Sequence, residues 1–402
     1  MASSNSKRTR LLAALVLACL VMISGCAGNG GSSSGGGGGP FRVALIADLT
    51  GPLATIISTA LPGGLTAIDQ VNKSGGVNGR QIQVTGTYDS ASTAAAGIVA
   101  ARSALSDKPD LILSFAGSAP TSALVPLLKQ SKIPALSTFL PDALAYPTDH
   151  NVWGFSAGER QQGQFAVGSA KTILGKVEGA KIAFEYLQTP GAESSSVSAR
   201  GALEKAGAQV VDVQGLPNGA TTFASQASRI ARLNPDLYVV SDGAANVQTV
   251  VAALRTAGWN GPVVTAGESA NSESDFQGIG DGRYYSPRGY QPPIAGSPLQ
   301  ATAKPFGYNL SGSHFAYGWS QTQSAIAALK NCAGDCSQEA LIEAFDHLGN
   351  FVPTDNASTG PLKFTPDNRI VITTEQLFKW DKAQGNAVPE GNPMTVQPAA
   401  SY

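Results

Sequence analysis

"NPDLYVVSDGAANVQTVVAALRTAGWNGPVV", from Asn234 to Val264, carries the pattern that decides the fold. DLYVVSDG is a short apolar run ended by polar turn residues and reads as a buried strand. NVQTVVAALRTAGW places apolar side chains at helical spacing, and PVVTAGE begins a second buried strand after a glycine-containing turn. A strand, a crossing helix of this length and another strand form a right-handed βαβ unit of a parallel sheet.

Working outward, the rhythm recurs. Upstream, KIAFEYL and AQVVDVQGL read as strands alternating with helices SSSVSARGALEKAG and FASQASRIARLN. Nearer the N-terminus, strands FRVALIA, QIQVTGTY, LILSFAG and IPALST alternate with helices TIISTALPGGLTAIDQVNKSGG, STAAAGIVAARSAL and SAPTSALVPLLKQSK. Two runs alike in order and size predict an α/β protein of two similar lobes, each a mostly parallel sheet flanked by helices. The tail differs, with a long helix SHFAYGWSQTQSAIAALKNC, a second helix SQEALIEAFDHLGN and a late strand ITTEQLFKW that would complete the lobes after chain crossovers. The expected division is 41–156 plus about 287–357 for lobe 1, and 157–286 plus about 358–402 for lobe 2.

The N-terminus reads as an export device. Lys7, Arg8 and Arg10 precede a 13-residue apolar run, Leu11 to Ile23, that is shorter than a bilayer span. Ile23-Ser24-Gly25-Cys26 resembles a bacterial lipobox, which implies a signal peptide over 1–25 and a lipid on the Cys26 thiol. The alternatives are an ordinary secretory signal or a short membrane anchor. Residues 26–40 are mostly glycine and serine and read as a flexible tether with a span of roughly 20 Å. Two or three acyl chains would hold the protein stably on the extracytoplasmic face of the cell membrane.

Composition narrows the function classes. The chain carries a formal net charge of −1, and its three N-terminal cations lie before residue 41, so the body is mildly acidic and lacks the basic face that nucleic acid needs. Cys332 and Cys336, in CAGDC, are the cysteines left after export and lipidation; in an oxidising compartment they read as a local disulfide, with a redox pair or half a zinc site as alternatives. His150, His314 and His347 form no spaced metal cluster, and no cofactor is called for.

Enzyme signals are weak. Gly31-Ser32-Ser33-Ser34-Gly35 fits GxSxG by letter but falls in the tether instead of a strand–helix elbow. No Gly-rich phosphate loop and no GxGxxG follows a strand. Asp242 and Glu268 could pair as acid and base, yet no nucleophile or metal accompanies them.

Ligands of open parallel sheets bind outside the carboxyl ends of the strands. After LILSF stand Ala116, Gly117 and Ser118, where glycine permits close approach and a helix N-terminus would attract an anion. After IPAL stand Ser137, Thr138 and Phe139. In the second run Tyr186 and Gln188 follow KIAFE, Asp242 follows DLYVVS and Glu268 follows PVVTAG. Hydroxyls and amides face carboxylates and a phenol, which suits a small solute with an anionic end and a cationic or donor end. Each residue taken singly also reads as a cap or turn residue.

Several stretches together resemble the branched-chain amino-acid-binding (Leu/Ile/Val-binding) proteins of ABC transporters, a type I periplasmic-binding-protein fold. They are IADLTGPLA (46–54), NKSGGVNGRQIQV (72–84), YDSAST (88–93), SALVPLLKQSKIPALS (122–137), ERQQGQFAVGSA (159–170), GALEKAGAQVV (201–211), the opening stretch, GPLKFTPDNR (360–369) and LFKW (377–380). The resemblance implies two lobes joined by three hinge crossovers that close on a solute, no catalysis, and delivery by a monomer to ABC permease subunits. It places the carboxylate of a ligand at Ala116–Ser118 and Ser137–Phe139, an ammonium at Glu268 or Asp242, and Ile56 where relatives carry an aromatic. Pro141 stands near a threonine contact of some relatives. These departures leave an amide, a small carboxylate, an aromatic acid or another amino acid open. A ligand-sensing receptor domain shares the fold, and a lipid-anchored hydrolase is the third class.

Overall fold

The computed structural model describes residues 38–51, 54, 59–217, 220–293, 296–306, 314–332 and 336–397. Cys26, the signal stretch, most of the tether and Ile56 lie outside them. In chain order the first body contains β1 (Phe41–Ala47), α1 (Ala60–Lys73), β2 (Ile82–Asp89), α2 (Ala94–Ser106), β3 (Leu111–Phe115), α3 (Ser118–Ser131), β4 (Ala135–Ser137), α4 (Asp142–Ala145) and β5 (Val152–Gly154). The second contains α5 (Glu159–Leu174), β6 (Lys181–Leu187), α6 (Pro190–Lys205), β7 (Gln209–Leu216), α7 (Ala224–Leu233), β8 (Leu237–Ser241), α8 (Ala244–Thr256), β9 (Val263–Thr265), α9 (Glu273–Ile279) and β10 (Tyr284–Arg288). The chain then returns through α10 (Pro298–Ala303), α11 (His314–Asn331), α12 (Gln338–Asp346), β11 (Gly349–Phe351) and β12 (Leu362–Phe364), and ends in β13 (Thr374–Asp381) and β14 (Asn386–Thr395).

The first sheet is all parallel, in the order β2-β1-β3-β4-β5. β3, Leu111–Phe115, is buried at every position, as a strand covered by helices on both faces must be. The second sheet runs β14-β13-β10-β9-β8-β6-β7, with β6 to β10 parallel and the β13–β14 hairpin antiparallel at one edge. This is the α/β, parallel-rich architecture expected.

The late helix α11 closes the first body. It is buried along most of its length and crosses α1 at backbone contact. A Cβ on Gly63 would lie 2.0 Å from the Phe315 carbonyl oxygen, and one on Gly318 would lie 1.8 Å from that of Ala60. Only glycine lets two helices approach so closely.

The chain passes between the bodies near Phe155–Gly158, near Arg288–Gln291 and near Ile372–Thr374. The third passage is later than the boundary expected near residue 358. Leu362, Phe364, Ile370, Val371 and Ile372 all belong to the first body's core, where Phe345 packs between Trp153 (4.8 Å between centroids) and Phe364 (6.1 Å). Apolar burial holds this segment in the first body until Thr374 enters β13.

Candidate functional site

Three strand ends of the first body converge on one carboxylate that sequence reading passed over. Asp48, directly after β1, is fully buried. Its Oδ1 accepts from Ser90 Oγ at 2.5 Å and from the Ser92 amide at 3.0 Å, and its Oδ2 accepts from the Gly117 amide at 3.0 Å. Asp89 holds the neighbouring turn, accepting from the Leu49, Thr50 and Ala91 amides and from Thr50 Oγ1 at 2.6 Å. Burial pushes the Asp89 carboxyl up, but these bonds outweigh it and the net shift is downward. Ala91 and Ser92 both adopt left-handed φ, 45° and 54°, a conformation that costs non-glycine residues about 1–3 kcal/mol each. Asp89 and Asp48 each bind one of those two amides, so the carboxylates hold the strained rim in place.

Of the predicted first-body residues that the structure describes, Gly117 bonds this rim and the others stand at the ends of β3 and β4. Gly117 caps α3, and Ser118 is that helix's first residue instead of its cap. The Gly117 amide is taken by Asp48 and is not available to a ligand. The Ser118 and Ala119 amides, at the first turn of α3, fall outside the helix's own hydrogen-bond ladder. Ala116, Ser137 and Thr138 are buried. The Thr138 amide and Oγ1 both donate to the Ser114 carbonyl, at 2.9 and 3.2 Å, which ties the segment after β4 to β3. Ser137 Oγ is buried without a partner, and Phe139 packs half-buried against the first core.

In the second body the half-buried Tyr186 ring lies against Gly215, where a Cβ would come 2.9 Å from the phenol oxygen and 3.1 Å from Gln188 Nε2. Tyr186 and Gln188 are thus side by side. Asp242 is a helix-terminal residue, with Oδ1 accepting from the Gly243 amide at 2.6 Å and both oxygens meeting Asn246 Nδ2. Burial raises its pKa. Beside it, and missed by sequence reading, Glu185 is buried on β6 with Oε2 accepting from Tyr238 Oη at 2.7 Å; burial pushes this carboxyl up to about 8.

The two bodies touch at the helix starts. A Cβ on Gly191, in the first turn of α6, would lie 3.4 Å from Ser118 Oγ. The N-termini of α3 and α6 therefore face each other, with room for about one methyl group between Gly191 and Ser118 Oγ.

Glu268 lies against the second passage, where its Oε1 accepts from the Gly289 amide. The passages are tied together by side chains that carry no sequence motif. Tyr290 Oη donates to the Phe155 carbonyl at 2.7 Å, Gln161 Nε2 to that of Ile372 at 2.8 Å, and Thr359 Oγ1 to those of Gly289 and Thr374 at 3.1 and 2.9 Å. Cys332 and Cys336 are joined as a disulfide, with Cα atoms 5.4 Å apart. Among the described residues no cluster of three metal-binding side chains occurs, and no helix is long and apolar enough to cross a membrane.

The model of the periplasmic binding protein family matches residues 40–386. A Leu/Ile/Val-binding protein of Escherichia coli is 24% identical over 199 residues, 48% of this chain and 52% of that protein. A leucine-, isoleucine-, valine-, threonine- and alanine-binding protein of Pseudomonas aeruginosa is 23% identical over 236 residues, 58% of each. These alignments span little more than half the length of either relative. The fold matches a branched-chain amino acid ABC transporter structure from Thermus thermophilus with bound valine at a TM-score of 0.76 and 16% identity, over 89% of this chain and 97% of that one. It also matches a fatty acid ABC transporter substrate-binding protein from Thermomonospora curvata at 0.73 and 18%, over 89% and 93%. With its two sheets, tied passages and family match along most of its length, the chain belongs to the periplasmic binding protein family.

Proposed function

We propose that the protein captures one small organic solute between its lobes, on the extracytoplasmic side of the membrane, and delivers it to the permease subunits of an ABC importer. The Ser118–Gly191 apposition carries this reading: two helix N-termini meet across the cleft beside a rim of hydroxyls, an environment suited to a carboxylate. Tyr186 and Gln188 supply polar contacts from the other side. An amino acid, an amide or a small carboxylate fits this chemistry. The protein acts by binding and release without turnover, as a monomer.

Anchoring belongs to the same reading. Cleavage after residue 25 and lipid on Cys26 would leave residues 26–40 as a tether, free to let the lobes close and dock. Replacing Cys26 by Ala should move the protein from the membrane fraction to the soluble extracytoplasmic fraction; retention in the membrane would refute the anchor.

A thermal-shift screen of amino acids, amides, aromatic acids and fatty acids, followed by calorimetry, tests solute capture. A true solute at about 100 times its Kd stabilises by about 2.7 kcal/mol. Silence across all classes would overturn the reading.

A further inference from the structure

Two carboxyl groups meet at the hinge, and among the described residues no cation forms an ion pair with either. Glu375, at the start of β13, is fully buried, and neither of its oxygens has a partner. Glu268 gives Oε1 to the Gly289 amide, while its Oε2 is buried and unpartnered. The strand register explains the encounter. β10 and β13 pair Arg288 with Gln376, and one step further stand Gly289 and Glu375. A Cβ on Gly289 would fall 2.7 Å from Glu268 Oε1 and 1.9 Å from Ile372 Cδ1, so this glycine lets the carboxyl reach the backbone.

The charges around the pair are few. Glu268 faces Glu375 and, from β10, Arg288, whose Nε donates to the Asn271 carbonyl at 2.6 Å and Nη1 to Glu273 at 2.9 Å, while its Nη2 is buried without a hydrogen-bond partner. Glu375 faces Glu268 and the buried Tyr290 phenol. Burial, then Glu268, drives the Glu375 carboxyl upward, and burial drives Glu268 upward against the Gly289 amide and Arg288. Two adjacent carboxylates in a dry site cannot both ionise without a large penalty.

The pair also sits where the passages meet. Gly289 belongs to the second, Glu375 follows the third directly, and Tyr290 reaches Phe155 of the first. Rearranging the hinge must rearrange the surroundings of both acids.

We infer that Glu268 and Glu375 share a proton in the closed form and release it to water when the hinge opens, so that pH sets the balance between closed and open lobes. Acid then favours the closed form and alkali the open one. In a delivery cycle, opening would be coupled to proton loss.

The test uses the purified full-length protein with no added solute, so it stands or falls apart from the solute screen. Infrared difference spectra over pH 5–9 read the protonated carboxyl band. Hydrogen exchange at the Ser156, Gly289 and Thr359 amides, corrected for its intrinsic pH dependence, reads hinge opening, with small-angle scattering for lobe separation. The expected result is a carboxyl band that titrates above the ordinary carboxylate range, with hinge exchange rising about tenfold per pH unit beyond the same midpoint, as release of one proton requires. Glu375→Gln, a neutral isostere, should abolish the pH dependence of exchange and of scattering. Equal pH responses in wild type and Glu375→Gln, or no protonated carboxyl at neutral pH, overturn the proposal. Should Glu375→Gln fail to fold, Glu268→Gln and the coincidence of the two wild-type midpoints decide it, and separate midpoints overturn it.

Discussion

Asp142 and Glu159 cap each other's helices across the first passage between the lobes. The Asp142 amide, opening α4, donates to Glu159 Oε2 at 2.8 Å, while Asp142 Oδ2 accepts from the amide of Arg160, in the first turn of α5, at 2.9 Å. Gly158 lies between them, and a Cβ there would come 2.0 Å from Asp142 Oδ1. A helix of the first body is thereby locked to a helix of the second.

This lock is sensitive to substitution and to pH. Asp142→Ala should cost about 1–2 kcal/mol through loss of a cap, and Gly158→Ala about 1–3 kcal/mol through overpacking. Burial pushes the Asp142 carboxyl up to about 6. Its folded pKa lies above the unfolded one, so the stability it contributes is present in acid and is lost as pH rises through about 6. Urea unfolding at pH 4 to 8 should show that slope in the wild type and a flatter one in Asp142→Asn. Identical slopes would refute the assignment.

Gly191 should tolerate alanine but not bulk. An alanine Cβ would make ordinary contact with Ser118 Oγ at 3.4 Å, whereas the ring of Gly191→Trp would prop the lobes apart. Scattering should show the tryptophan variant expanded, with stability within about 0.5 kcal/mol of wild type because no core packing is touched. An unchanged radius of gyration would mean that the two helix starts do not bear on each other in solution.

Glu185 should make stability fall between about pH 5 and 8. Its folded pKa is raised by burial, so the unfolded chain releases the proton first and the folded state loses ground until pH passes about 8. Glu185→Gln keeps a group that accepts from Tyr238 and removes the ionisation, so the decline should vanish in thermal melts across that range. A persisting decline would place its origin elsewhere.

The Cys332–Cys336 bridge closes a loop with a sequence separation of 4. Chain entropy assigns it about 2 kcal/mol. Thiol labelling with intact-mass analysis should find neither cysteine free, and Cys332→Ser/Cys336→Ser should melt lower. Two labelled thiols in native exported protein would contradict the bridge.

Local pattern was enough for the βαβ rhythm. β8 and α8 fall where Asn234–Val264 places them, because a buried parallel strand must be apolar throughout and its crossing helix must be amphipathic. The short α4 and β5 escaped, since Asp142–Ala145 and Val152–Gly154 are too brief to show a period, and β14 escaped because NAVPEGNPMT carries glycine and prolines within an edge strand. At the site, the placing of Ala116–Ser118 after β3 and of Thr138 and Phe139 after β4 was legible from the strand pattern. Asp48 was not, because a lone aspartate after a strand looks the same whether it faces solvent or binds three loops.

The sequence by itself determined the parallel α/β bodies and the residue types offered at the strand ends, since these depend on hydrophobic period and near-neighbour chemistry. Tertiary structure alone decided that Gly117 is claimed by Asp48, that residues 362–372 stay with the first body, and that Glu268 meets Glu375 at the hinge. Those outcomes join residues tens to hundreds of positions apart, where the deciding quantity is burial, of charge or of apolar surface, in three dimensions and no local pattern records it.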